Sequence, residues 1–209
     1  MEGAVFGGRY YTEDYGAVMN YARAAPPEPK TNYVDIAGGN SAIDLTEAVG
    51  GVVYEDGSIE FKFTLFSYSE AEKMKNDLHG KRLTIVLDRD SLYYYDGRMS
   101  CTKIDQTGRI YEMYFTARVH PYKYAKSESI HTEELAGGTK DVLLANDRMP
   151  VMPRILVEGD ILLTYGGAIY RMKSGEYQIP EVTLYEGLNR IRLSGTGKVK
   201  FAYREGRLA

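Results

Sequence analysis

The sequence contains no tryptophan and only one cysteine, Cys101, among its 209 residues. A single cysteine cannot form an intrachain disulfide, and it argues against a cysteine-ligated zinc or iron–sulfur site. Synthesis in a reducing compartment is therefore expected. The missing tryptophan argues against a sugar-stacking site, although tyrosine can also supply a flat aromatic face.

Long apolar runs and blocks of one charge are also absent. The first residues have neither the basic start nor the apolar segment of a secretion signal, and no stretch approaches the ~18 apolar residues of a membrane span. The 26 basic and 29 acidic residues are spread along the chain, with a net charge of −3. We expect a soluble protein made in the cytoplasm, with no nucleic-acid binding and no membrane insertion.

Tyrosine is abundant, with 19 residues, and suits both β-sheets and subunit interfaces. The segments Ile59–Phe66, Leu83–Leu87 and Arg109–Val119 alternate apolar and polar residues or are rich in β-formers, which predicts strands. Reversals are expected at Asp56-Gly57, Asp96-Gly97, Thr107-Gly108, Gly166-Gly167 and Gly195-Thr-Gly197. The pattern predicts a mainly β fold, a β-sandwich of mostly antiparallel strands.

One segment has the signals of a helix. Ser69 and Glu72 form a capping-box pattern, and Gly80 is placed to end the helix. Apolar residues recur at i, i+3 and i+7, namely at Ala71, Met74 and Leu78. We predict one short helix over about residues 70–79, packed on the sheets.

A polar, turn-rich stretch after Tyr124 is the predicted domain boundary. Residues 1–125 are expected to form an N-terminal β-sandwich with the helix, residues 126–140 a polar linker, and residues 141–209 a small C-terminal β-sandwich. The short strands predicted there are Arg154–Val157, Ile161–Tyr165, Ile169–Met172, Ile191–Leu193 and Val199–Tyr203.

Two acidic residues, Asp88 and Asp90, would share a face if their strand continued, and could then bind a divalent cation or act as an acid–base pair. We favour a polar turn, because aspartate favours turns and no third ligand follows at a suggestive spacing. The three histidines are scattered and no nucleophile elbow accompanies them. The prediction is that the protein is not an enzyme, with no catalytic residue, no cofactor and no metal.

The stretch Leu92–Cys101, LYYYDGRMSC, is predicted to be a strand, a turn at Asp96-Gly97 and a return strand. Alternation places Tyr93 and Tyr95 on one face and Tyr94 on the other, so the three rings cannot form one platform. We expect one face in the core and the other at a protein interface. The candidate interface residues are Tyr93, Tyr94, Tyr95, Arg98, Pro26, Pro27 and Lys30.

Several phrases, in the same order over nearly the whole chain, resemble the distal tail protein family of long-tailed, siphovirus-type phages. They are Pro26–Ile36, Ile43–Glu47, Leu78–Lys81, Ile85–Asp88, Tyr94–Arg98, Pro121–Lys123, Gly187–Ile191 and Phe201–Gly206. Each phrase is weakly specific by itself, whereas the ordered set is much more specific.

The resemblance implies an N-terminal β-sandwich that assembles as a hexameric ring around the tail channel. It also implies a C-terminal sandwich of galectin-like or carbohydrate-module-like shape, reduced here because the second part of the chain is short. The implied role is structural, at the tail tip of a phage or prophage virion synthesised in the bacterial host cytoplasm. The implied partners are further copies of the chain, the tail tube protein, a baseplate hub or tail-lysin protein, and a receptor-binding protein.

Two alternatives stay open. A carbohydrate-binding β-sandwich acting in host-surface adhesion would need a concave sheet face with exposed tyrosines and would bind glycans as a monomer. An enzyme using Asp88 and Asp90 would need a pocket that joins them to a further acid or metal ligand.

Overall fold

The computed structural model describes residues 3–48 and 50–209. The chain divides into two compact units. The N-terminal unit comprises Met1–Lys123 with Leu208–Ala209, and the C-terminal unit comprises Tyr124–Arg207. Most described residues lie in antiparallel strands and one α-helix is present among them, so the predicted mainly β fold class is confirmed.

The strands of the N-terminal unit are β1 (Ala4–Phe6), β2 (Tyr10–Tyr11), β3 (Val18–Ala25), β4 (Tyr33–Val34), β5 (Ile43–Asp44), β6 (Gly57–Leu65), β7 (Arg82–Leu87), β8 (Tyr93–Thr107) and β9 (Ile110–Val119). They form one antiparallel sheet in the order β2-β1-β7-β8-β9-β6-β3, apart from β4 and β5, which form a separate two-stranded ribbon. Short 3-10 helices span Thr12–Tyr15 and Asp88–Asp90. The strand β10 (Tyr122–Ala125) leads into the C-terminal unit.

The core of the N-terminal unit contains a cluster of four phenylalanines. Phe6 meets Phe61 and Phe63 edge to face, with ring centroids 5.6 and 6.3 Å apart, and Phe63 meets Phe115 in the same way at 5.9 Å. All four rings are at most 1% exposed. Edge-to-face pairs add about 0.5–1.5 kcal/mol each beyond burial, so these rings hold the middle of the sheet together.

The helix α1 spans Tyr68–Leu78 and buries Ala71, Met74 and Leu78, the stripe that the sequence predicts. Its end is also as predicted, because His79 caps the helix and Gly80 follows with φ +77°. The predicted start is wrong. Ser67 is the N-cap, and Ser69 bonds the Ser67 hydroxyl at 2.8 Å instead of capping the helix.

The predicted turn at Asp96-Gly97 is wrong, because both residues lie inside the continuous strand β8. Gly97 pairs with Leu83 on β7 and Val119 on β9. A Cβ on Gly97 would clash with the Arg118 carbonyl oxygen and would lie only 2.7 Å from Val119 Cγ1. The glycine is needed because the two backbones approach each other closely. In the sequence, a glycine with this role looks the same as a glycine in a turn.

The long strands of the C-terminal unit are β11 (Ser129–Asn146), β12 (Arg154–Tyr165), β13 (Ala168–Tyr177) and β14 (Gly187–Tyr203), and β15 (Gly206–Leu208) leads back to the N-terminal unit. The four long strands form an antiparallel sheet in the order β11-β14-β12-β13. The short strands predicted within residues 154–165 and 191–203 are therefore joined into single long ones. Two predicted turns are present: Thr107-Gly108 joins β8 to β9, and Gly166-Gly167 joins β12 to β13.

The linker predicted over residues 126–140 is wrong over most of its length. Ser129–Asn146 is one strand that pairs with β14, with a bulge between Ala136 and Thr139. Only Leu135 is fully buried between positions 129 and 140. A strand whose side chains mostly face water has the polar composition of a linker, and this composition misled the prediction.

Glycines also occupy the middle of the long strands in the C-terminal unit. The predicted reversal at Gly195-Thr-Gly197 is wrong, because these residues continue β14. Gly197 pairs with Gly159 on β12, and a Cβ on Gly159 would lie 2.8 Å from the Gly197 Cα. Asp56-Gly57 is likewise no reversal, since Gly57 is the first residue of β6. Backbone proximity, and not turn formation, explains Gly159, Gly195 and Gly197.

Replacing Gly97 tests this interpretation in the N-terminal unit. We expect Gly97→Ala to lower the free energy of unfolding by about 1–3 kcal/mol, because the new methyl group overpacks the β8–β9 contact. Gly108→Asn is the matched control, since Gly108 has φ +61° in open space and asparagine tolerates that conformation. Denaturant titration of both variants measures the difference. Equal, small effects would contradict the close-approach role.

A second pair of variants separates crowding from backbone strain in the C-terminal unit. Gly197→Ala adds a clash with the Glu158 carbonyl to an unfavourable φ of +143°, whereas Gly138→Ala meets nothing within 4 Å at φ +87°. We expect Gly138→Ala to destabilise by about 1 kcal/mol and Gly197→Ala by at least about 2 kcal/mol. Scanning calorimetry measures both, and similar losses would show that the glycine pair is not crowded.

Candidate assembly surfaces

Three of the predicted interface residues, Pro26, Pro27 and Lys30, lie in one extension of the N-terminal unit. We call residues 26–56, between β3 and β6, the arm. Pro26 and Lys30 are exposed, whereas Pro27 is buried, which removes Pro27 from the candidate interface. Backbone hydrogen bonds join Lys30 N to Val53 O at 2.8 Å and Glu55 N to Glu28 O at 2.8 Å. The described part of the arm is thus a ribbon whose strands β4 and β5 pair near its far end.

The arm exposes large apolar side chains that its own subunit does not cover. They are Tyr33, Val34, Ile36, Ile43, Leu45 and Val53, between 37% and 60% exposed. Of the described residues from Glu28 to Asp56, none is fully buried. A two-stranded ribbon with little burial is marginally stable alone, and a clustered apolar surface is typical of a protein-binding site.

The arm is also acidic. Residues 28–55 contain five acidic residues and one basic residue, a net charge of −4. Asp44 and Glu47 line a cleft of about 330 Å³ together with Tyr33 and Thr46. The Thr46 amide donates to Asp44 Oδ1 at 2.9 Å, and hydrogen bonds from Thr46 hold the pKa of Asp44 below its ordinary value. This cleft offers two carboxylates to a cation.

Arg98, another predicted interface residue, is the centre of a row of three arginines. Arg82 on β7 stands directly opposite Arg98 on β8, and Arg98 stands directly opposite Arg118 on β9. We call Arg82, Arg98 and Arg118 the arginine ladder. All three are exposed, and they line a cleft of about 430 Å³ with Asp56 and His120.

Two carboxylates accompany the arginine ladder. Asp96 accepts from Arg82 Nε at 3.0 Å and from its Nη2 at 2.8 Å, while Asp56 accepts from Arg118 Nε at 2.8 Å. Arg98 donates to the Gly80 carbonyl at 2.5 Å, and in the part of the chain that the structure describes it has no carboxylate within ion-pair distance. Directly opposed like charges destabilise a sheet, so the positive charge of Arg98 is unfavourable between Arg82 and Arg118 unless a partner supplies an anion.

The consecutive residues Tyr93, Tyr94 and Tyr95 lie in the strand β8, where successive side chains point to opposite faces of the sheet. Lys123 Nζ lies 5.4 Å from the Tyr93 ring centre and 6.0 Å from the Tyr95 ring centre, so these two rings share a face. Lys123 also pairs with Asp90 at 2.6 Å. Tyr95 is 4% exposed and belongs to the core, so it is not a candidate interface residue; Tyr93 and Tyr94 are partly exposed.

The residues considered for catalysis have structural partners. Asp88 accepts the Gly3 amide at 2.8 Å, and Asp90 pairs with Lys123. His79 Nδ1 accepts the Cys101 amide at 2.9 Å, His120 Nε2 lies 2.9 Å from Arg82, and His131 Nε2 lies 2.9 Å from Glu133. Among residues 3–48 and 50–209, no group of three or more His, Cys, Asp or Glu side chains is arranged to hold a metal ion.

The C-terminal unit has a small polar cleft of about 240 Å³. Asp141 accepts from Arg190 Nη2 and from Arg192 Nε, the latter at 2.9 Å. These two guanidinium groups lower the pKa of Asp141 from 3.8 to about 2. Tyr165, at the edge, is half-buried and donates to the Thr183 carbonyl at 2.6 Å. This cleft lacks the exposed tyrosine face that the carbohydrate-binding alternative requires.

Sequence reasoning missed Arg82, Arg118, Asp44 and Glu47. The arginines are 16 and 20 positions from Arg98 in sequence, and only the strand register brings the three together. A signal for the arm was present, because an acidic stretch with isolated large apolar residues interrupts the strand pattern between β3 and β6.

Comparison with known proteins identifies the fold. No protein-family model and no curated protein matches the chain. The SPP1 Dit (gp 19.1) protein, described as a paradigm of the hub adsorption apparatus in phages that infect Gram-positive bacteria, matches over 100% of both chains with a TM-score of 0.74 and 12% sequence identity. The chain therefore has the fold of a phage distal tail protein throughout, as the resemblance implies.

The pKa of Asp141 gives a direct test of the C-terminal cleft. Because its folded pKa lies below its ordinary value, the pairing stabilises the fold above about pH 4, and this stabilisation is lost as the pH falls from about 4 to about 2. We expect carboxyl-carbon NMR to show Asp141 titrating near pH 2 in the native protein. Arg192→Gln should move this midpoint upward, and a native midpoint near pH 4 would contradict the geometry.

Proposed function

We propose that this chain is a distal tail protein of a long-tailed phage or prophage, which assembles as a hexameric ring at the virion tail tip. The ring would link the tail tube protein to the baseplate hub or tail-lysin protein and to the receptor-binding protein. The role is structural, and the chain supplies contacts instead of catalysis. Six is the number of subunits that the family resemblance implies.

The observation that carries this proposal is the match to the SPP1 hub protein over the whole of both chains. The resemblance in sequence concerns the same family and was drawn from ordered phrases in both units. Among the described residues, no helix is long and apolar enough to cross a membrane. The proposed place in the virion requires none.

The arm supports assembly independently of the match. It exposes six large apolar side chains on a ribbon that its own subunit does not bury. Covering such side chains stabilises an interface by about 25 cal/mol per Å² of apolar surface. A contact in which the arm of one copy meets a different surface on the next copy is heterologous, and a heterologous contact closes into a ring when the rotation between subunits permits it.

Solution mass measured by analytical ultracentrifugation, with negative-stain electron microscopy of the same samples, tests the proposal. We expect closed cyclic oligomers of the full chain whose share rises with concentration. The double variant Tyr33→Ser/Val53→Ser should weaken self-association at least about tenfold, because it removes apolar surface that the interface buries. Its thermal midpoint should stay within about 2 °C, since neither residue is buried in the subunit.

The matched control is Ile169→Ser/Leu188→Ser in the C-terminal unit, whose side chains are 68% and 72% exposed. This variant should assemble like the wild type. Wild-type protein that stays monomeric at every concentration and shows no ring particles would contradict the proposed function. Equal loss of association in both double variants would show that the arm has no special part in it.

A further inference from the structure

The arginine ladder carries excess positive charge, and the arm cleft carries excess negative charge. Asp96 pairs with Arg82 and Asp56 with Arg118, whereas Arg98, in the middle, donates to the Gly80 carbonyl and has no carboxylate partner among the described residues. A carboxylate delivered beside Arg98 would neutralise the excess charge and relieve the repulsion along the row. The ladder is thus a surface that favours a carboxylate-bearing partner.

The arm cleft has the opposite excess. Asp44 and Glu47 both line it, and no basic residue is among the described residues that line it. Thr46 fixes the Asp44 carboxylate through its amide, so one acceptor is held in position before any partner arrives. Guanidinium groups bind carboxylates through paired, charge-assisted hydrogen bonds, which makes arginine the side chain that suits such a cleft.

These two surfaces do not satisfy each other within one chain. At the base of the arm, Asp56 pairs with Arg118, but no described contact joins Asp44 or Glu47 to an arginine of the ladder. Each copy therefore offers the anionic cleft of the arm and the cationic cleft of the arginine ladder. Charge complementarity between different patches of identical chains is the requirement for a heterologous contact.

We propose that the arm of one copy binds the arginine ladder of the next copy, with Arg98 entering between Asp44 and Glu47. This inference rests on the proposed function, and it names the partner surface of the arm: a second copy of this chain. The apolar side chains of the arm supply the buried area, while the charges fix which surface the arm meets and in which orientation.

Charge reversal tests the pairing. We expect Arg98→Glu and Glu47→Lys, made separately, each to raise the dissociation constant for self-association at least about tenfold, as truncation of one partner of an interfacial charge pair does. The combined variant Arg98→Glu/Glu47→Lys presents the reversed pair at every interface, so it should recover at least half of the lost assembly. Analytical ultracentrifugation at one salt concentration measures all three variants.

Stability controls keep the result interpretable. Arg98 is exposed, and glutamate in its place would stand between Arg82 and Arg118, so the thermal midpoint should not fall by more than about 2 °C. Arg171→Glu and Glu181→Lys make the same charge changes at exposed positions of the C-terminal unit, and both should assemble like the wild type.

Each remaining outcome overturns the pairing. An Arg98→Glu protein that assembles like the wild type shows that the ladder is not at the interface. Loss of assembly in Arg98→Glu with full assembly in Glu47→Lys shows that another anion, such as a nucleic-acid phosphate, occupies the ladder. Failure of the combined variant to recover shows that the two residues do not meet. In all three cases the wild-type ring, and with it the proposed function, still stands.

Discussion

The close approach of neighbouring backbones at glycine is the constraint on which this structure depends. In the N-terminal unit, Gly97 allows β8 to lie tightly against β9 in the centre of the sheet. In the C-terminal unit, Gly159 and Gly197 face each other across β12 and β14 at a point where side chains would not fit. Strands of 12 to 17 residues can then pair along their length without interruption.

Uninterrupted strands determine which side chains meet. Because β7, β8 and β9 stay in register through Gly97, Arg82, Arg98 and Arg118 form one row on the exposed side of the sheet. A turn at Asp96-Gly97 would have separated Arg98 from both neighbours. The same strand places Tyr95 and Met99 in the core, so a single element carries both the packing and the charged surface.

The arm differs from the sheets because little of it is packed into a core. It is ordered by backbone hydrogen bonds and buries almost none of its own side chains, so its apolar and acidic residues remain available to a partner. The proposed assembly role requires such surfaces more than it requires a cavity. The proposed pairing of arm and ladder accounts for both the uncovered apolar residues and the unbalanced arginine row.

Sequence reasoning identified much of this fold and less of the site. The helix stripe of Ala71, Met74 and Leu78 was correct because a 3.6-residue period is a strong local signal. The turns at Asp96-Gly97 and Gly195-Thr-Gly197 were wrong because glycine serves both reversal and close approach, and only the neighbouring strand decides between them. Lys30 and Pro26 were predicted interface residues, and both lie in the arm. Arg82 and Arg118 were not predicted, because their position beside Arg98 follows from the strand register over long sequence separations.

Mixing two defective variants tests the head-to-tail contact most directly. One variant would lack the arm tip, with residues 30–53 replaced by a short Gly-Ser link, which the Pro29–Tyr54 bridge permits because it brings the cut ends together. The other variant would be Arg98→Glu. Each alone should be monomeric, and an equal mixture should form dimers and nothing larger, because one intact arm meets one intact ladder. Rings in the mixture, or monomers only, would contradict the account.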